Sequence, residues 1–168
     1  SEMCIRDRVN IVDKATWDYL KSLCPEVHAV RGDFDDSSFL PHIADTLTET
    51  KVVTIGQFKI GVCHGHQVVP WGDPESLGAL QRQLDCDILV SGHTHRFAAY
   101  EYEGKLFINP GSATGAYDAA FAAGEEPTPS FVLMDLQGQN AVTYVYEMKA
   151  DEVKVKKVDH TKATPQSV

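Results

Sequence analysis

Three short runs, residues 27–30, 59–63 and 87–91, each break off into a polar cluster. The clusters are Arg31-Gly32-Asp33, His64-Gly65-His66 and Gly92-His93-Thr94-His95. This recurrence constrains the fold of the 168-residue chain more than any other feature. Strands that hand over to polar loops belong to open α/β sheets, where the loops at strand carboxyl ends converge on a ligand. Gly32 and Gly92 sit just ahead of Asp33 and His93 and permit the tight turns that bring separate loops together.

The remaining pattern agrees with a mixed α/β layout. Asp13 caps a helix predicted over residues 14–23, with Trp17 and Leu20 on one face, and Cys24-Pro25 stops it. Residues 27–30 read as a short strand. Residues 51–55 and 59–63 form a hairpin about Gly56-Gln57, because both runs are rich in β-branched residues. Asp73-Pro74 opens a helix that runs to Leu84, a cap followed by proline at the first helical position. Residues 98–102 and 105–109 make a second hairpin about Glu103-Gly104, and 131–136, 141–148 and 153–158 read as three consecutive strands. Sheets packed between helices follow from this order. One domain is expected over residues 9–159, after a non-native leader at 1–8 and before a frayed tail at 160–168.

Composition removes several function classes. A net charge of −9 weighs against nucleic acid or an anionic membrane as partner of the general surface. No apolar run approaches the length of a spanning helix. The four cysteines, Cys4, Cys24, Cys63 and Cys86, lack metal-type spacing and read as reduced thiols of a cytosolic protein.

The histidines carry the chemistry. Taken singly, a Gly-His-x-His loop, a His-Gly-His loop or a turn aspartate is an ordinary surface feature. Asp33, His64, His93 and His95 together, each after a strand, form a mixed imidazole and carboxylate set. Such a set suits manganese, iron or zinc rather than calcium. Asp73 reads better as a helix cap, and His28 and His42 have no evident partner. The loop Val68-Val69-Pro70-Trp71 follows the second histidine cluster and is partly exposed on this reading.

The order Gly32-Asp33-x-Asp35, His64-Gly65-His66, Gly92-His93-Thr94-His95, with Asn109-Pro110-Gly111-Ser112 after it, resembles the calcineurin-like metallophosphoesterase family. Longer runs, among them residues 30–35, 64–73, 108–117 and 129–135, resemble the retromer branch of that family. The resemblance implies a four-layer αββα sandwich of the metallophosphoesterase type. It would lack its first strand here, because the family's opening Asp-x-His has no counterpart in the chain. It also implies that Asp33, His64 and His93 hold one divalent metal, manganese or zinc, with His95 at a second position and Asn10 bridging. At Phe34 the family has a catalytic histidine, and phenylalanine can neither donate nor accept a proton. The expectation is therefore a non-catalytic scaffold, with an active metal-dependent phosphodiesterase, in which His66 stands in for the missing acid, as the alternative. The partners implied are a large helical-repeat retromer subunit, docked on Val68, Val69, Pro70 and Trp71, and Rab GTPase-activating-type regulators with Pro-Leu motifs. The regulators would meet Leu133, Tyr144, Tyr146 and Val155 if that face of the late strands is a groove. A sheet buried on both sides fits the same pattern. Endosome membranes would then be reached only through partners, from the cytoplasm.

Overall fold

The computed structural model describes residues 2–5, 14–24, 26–33, 35, 47–116 and 127–163. In chain order the elements are β1 (Glu2–Ile5), α1 (Lys14–Leu23), β2 (Thr50–Ile55), β3 (Phe58–Cys63), α2 (Pro74–Leu84) and β4 (Ile88–Ser91). They continue with β5 (Phe97–Tyr102), β6 (Lys105–Pro110), β7 (Ser130–Gln137), β8 (Asn140–Lys149) and β9 (Glu152–Thr161).

Two sheets form. The first has the order β2-β3-β4-β6-β5, with β3, β4 and β6 parallel and antiparallel strands at both edges. The second, β1-β7-β8-β9, is antiparallel throughout. Every residue of β4 is buried, as a central parallel strand covered on both faces requires. On β7 and β8 buried positions alternate with more exposed ones, so one face of that sheet turns inward.

The core divides by layer. Phe58, Ile60, Ile88, Val90, Leu106 and Ile108 of the first sheet meet Val132, Met134, Leu136, Ala141 and Val145 of the second. On the opposite face of the first sheet, Leu89 and Phe107 pack with Leu77 of α2 and with Cys63, Val68 and Cys86. Helix α2 is therefore stacked on the first sheet, and the first sheet on the second. Asp73 caps α2 by accepting from the Ser76 N–H at 2.8 Å, and Asp85 ends it in a left-handed conformation with φ of 48°. The helix lies so close to β5 that a Cβ on Gly78 would sit 2.8 Å from the Tyr102 ring.

Two local expectations change. Residues 27–30 do not make a strand; Val30 forms one parallel bridge with Thr48, reinforced by Arg31 N–H donating to Thr48 O at 2.9 Å. The first residues of the tail expected to fray are tied down, since β9 continues to Thr161 and His160 is buried against Glu101 of β5; residues 164–168 lie outside the described residues. Glu2–Ile5, inside the stretch read as a leader, pairs with β7 in the register Glu2↔Asp135 to Ile5↔Val132. The cap at Asp13 falls outside the described residues.

Candidate metal centre

Parallel β3 and β4 end side by side at Cys63 and Ser91. Their following loops are joined by the backbone, Gly92 N–H donating to His64 O at 2.8 Å. That approach leaves no room for a side chain at Gly65, where a Cβ would lie 2.9 Å from Gly92 O. His64 and His93 are thereby placed with ring centroids 5.4 Å apart. Asp33 comes in from the Val30 bridge, Oδ1 at 3.9 Å from His64 Nδ1 and Oδ2 at 3.7 Å from His93 Nδ1. One ligand atom from each of Asp33, His64 and His93 lies within 4.8 Å of the others.

His64 is 6% exposed, and its Nε2 has no hydrogen-bond partner among the described residues. Burial holds its pKa down to about 4, against the opposing pull of the Asp33 carboxylate. The imidazole is therefore neutral at physiological pH and able to coordinate a metal. Leaving such a ring nitrogen unsatisfied costs about 1–3 kcal/mol, which a cation would offset. One carboxylate and two neutral imidazoles fit a borderline divalent ion such as zinc or manganese.

His95 is buried but stands outside this trio. Its Nδ1 faces Ala116 O at 3.0 Å, and a carbonyl can only accept, so Nδ1 carries the proton and Nε2 is left as the donor to a metal. Asn10 and Phe34 lie outside the described residues. His66 comes close without joining, its Nδ1 3.0 Å from His64 Nδ1 and its Nε2 4.0 Å from Glu49 Oε2. Sequence reasoning missed Glu49, because it precedes β2 and reaches His66 only through the β2–β3 pairing of Thr50 with Cys63.

The apolar loop beside the cluster divides. Val68, expected on the surface, turns inward to Leu77 and Phe107, and belongs to the core. Val69 is 72% and Trp71 55% exposed, and Pro70 is exposed with them. The Trp71 ring stands edge-on to His93 at 4.4 Å between centroids, and its Nε1–H donates to His66 O at 3.2 Å. On the outer face of the second sheet Tyr144 and Val155 are exposed, while Leu133 and Tyr146 are half-buried. Leu133 is opposite Tyr144, and Tyr146 opposite Val155, so the four form one patch. Phe131 extends it, stacked on Tyr146 at 4.8 Å.

Residues 7–139 match the calcineurin-like phosphoesterase superfamily domain. Vacuolar protein sorting-associated protein 29 of Schizosaccharomyces pombe is 46% identical over 154 residues, 91% of this chain and 79% of that protein. The chain belongs to the Vps29 family of calcineurin-like phosphoesterase folds. Crystal structures of Vps29 proteins superpose on it. Chaetomium thermophilum Vps29 does so with a TM-score of 0.83 at 42% identity, covering 90% of this chain and 78% of that one. Entamoeba histolytica wild-type Vps29 complexed with Zn2+ gives 0.78 at 48% identity, covering 88% and 76%. The mixed sheet and its helix layer are thus the metallophosphoesterase type of fold. No helix among the described residues is long and apolar enough to cross a membrane.

Proposed function

We propose that this Vps29-family chain is a non-catalytic scaffold subunit of retromer, serving retrograde and recycling transport from endosomes. Asp33, His64 and His93 would hold one divalent metal, zinc or manganese, with His95 at a second position and Asn10 bridging. The ion would supply a cross-link between three loops, and the chain's own residues do the docking. The observation that carries this reading is the exposed Val69-Pro70-Trp71 loop, which stands directly against His93. Large apolar side chains beside a polar ligand cluster have the make-up of an interface core with its rim. A hydrolase would gain nothing from leaving them in water at the mouth of its site.

The large helical-repeat subunit would dock on this loop. The patch of Leu133, Tyr144, Tyr146 and Val155 would receive Pro-Leu motifs of Rab GTPase-activating-type regulators. Recruitment to endosome membranes would then be indirect. Val69→Asp tests the first contact. Burying a carboxylate at an interface centre should weaken co-purification with the helical-repeat subunit by at least ~30-fold, about 2 kcal/mol. The far-ultraviolet circular dichroism spectrum should not change. Retained binding would refute the docking surface.

One observation favours a second reading, an active metal-dependent phosphodiesterase. His66 is half-buried beside His64 with Glu49 behind it, a placement open to a proton donor. Manganese-dependent hydrolysis of an aryl phosphodiester that disappears in His93→Ala would establish that reading. The scaffold reading expects no such turnover, because Phe34 occupies the position of the family's catalytic histidine.

A further inference from the structure

The Asn109-Pro110-Gly111-Ser112 run contributes no ligand and no exposed surface, yet Asn109 is 7% exposed and Ser112 fully buried. Asn109 bonds the histidine loop directly, and Ser112 reaches it through Ala116. Asn109 Nδ2 donates to Gly92 O at 3.1 Å and to Thr94 Oγ1 at 2.9 Å, the two residues that flank His93. Asn109 Oδ1 accepts the Gly111 N–H at 3.0 Å, so the orientation of the amide is determined by three partners. Ser112 Oγ accepts the Ala116 N–H at 3.0 Å, and the Ala116 carbonyl in turn receives the His95 Nδ1–H.

The loop needs such support. His93 and His95 have φ of 71° and 55°, left-handed conformations that a histidine adopts only when its surroundings enforce them. Gly92 O already accepts the Thr94 N–H at 2.9 Å, a tight turn that throws His93 towards Asp33. Asn109 closes that turn from the side. Its backbone is held in β6, where Ala98 of β5 faces Asn109 and the preceding residue, Ile108, pairs with Val90 of β4.

We propose that residues 109–112 are a positioning element for the metal centre. Asn109 presets the imidazole of His93, and Ser112, through Ala116, presets that of His95, before any cation arrives. The proposal rests on the metal-binding reading above. It assigns the asparagine and serine a task their burial alone does not explain: a buried corner could have been closed with apolar residues, whereas Asn109 bonds the histidine loop directly and Ser112 holds the Ala116 that meets His95. Groups that orient metal ligands without touching the metal generally tune affinity by about 10–100-fold.

Calorimetric titration with Zn2+ of the full chain and of Asn109→Ala, Ser112→Ala, Thr94→Val and His93→Ala separates the possibilities. Urea midpoints measured without metal report any loss of fold, and Co2+ visible spectra report ligand geometry. The expected result is tight binding by the unaltered chain and none by His93→Ala. Asn109→Ala should bind ~10–100-fold more weakly, with an altered Co2+ band. Thr94→Val removes one acceptor while preserving shape and should fall between. An unaltered chain that binds no Zn2+ would refute the metal reading and this proposal with it. Unchanged affinity and Co2+ spectrum in folded Asn109→Ala, while His93→Ala is silent, would overturn the positioning role alone. If Asn109→Ala does not fold, wild-type affinity in both Thr94→Val and Ser112→Ala overturns it equally.

Discussion

In His64 burial sets the proton affinity of a side chain that, on the proposed reading, would also hold the metal. Its folded pKa is lowered to about 4, chiefly by burial, against about 6.5 for the unfolded chain. Between those values the unfolded chain binds a proton that the native one does not. Stability therefore falls as pH drops from about 6.5 to about 4, at up to ~1.4 kcal/mol per unit, and the loss is complete below. The total is about 3 kcal/mol. Urea midpoints across this range, compared with those of His64→Gln, should show a steeper decline in the unaltered chain. Equal slopes would refute the assignment. Bound Zn2+ should raise the curve near neutrality and lose its effect in acid, since proton and metal compete for the same nitrogen.

At the scale of elements, the loop between β3 and α2 joins the ligand cluster to the exposed apolar surface through Trp71. Its ring lies against His93, and its N–H holds His66 O. Placing a cation on His93 changes the charge beside the indole, so tryptophan emission should respond to Zn2+ at neutral pH. The response should vanish in Trp71→Phe, although Trp17 remains. A full response in that variant would refute the contact. The hairpins β2–β3 and β5–β6 and the helix α2 were legible in the sequence because turn, cap and alternation act over a few residues. The grouping of Asp33, His64 and His93 was legible for the same reason: each follows a glycine or a strand end in its own segment. What escaped is non-local. Val68 and Val69 are chemically alike, and only packing under α2 turns one inward and the other out. Residues 27–30 have strand composition but, among the described residues, find a ladder partner only at Thr48. His160, read as fraying tail, is buried because Glu101 waits on a strand 59 residues away.

On the scale of the whole molecule, β4 has His93 just beyond its carboxyl end and Asp87 just before its start, so the candidate site and a charged clasp occupy opposite ends of one buried strand. Asp87 Oδ2 accepts the Lys59 N–H at 3.0 Å and Lys162 Nζ at 2.6 Å, and Oδ1 meets Lys105 Nζ at 3.0 Å. Lys162 also reaches Gln57 O at 2.6 Å, and its backbone N–H donates to Gln139 O at 2.8 Å. One carboxylate thus binds β3, the start of β6 and the end of β9, fastening the second sheet to the first. Burial pushes the Asp87 carboxyl up, but the hydrogen bonds from Lys162, Lys59 and Lys105 together hold it below the usual carboxylate range. Its contribution is therefore present above the ordinary carboxylate pKa and is lost as pH falls through the lower folded value. Asp87→Ala should cost about 1–3 kcal/mol at neutral pH, read from urea unfolding. Hydrogen exchange at the Lys162 amide should quicken at least ~10-fold, as expected if strand β9 opens from its end. The stability gap between the two proteins should close in acid. A gap that persists there, or Lys162 exchange unaffected by the substitution, would show that apolar contact between the sheets, and not this clasp, holds the chain's last strand in place.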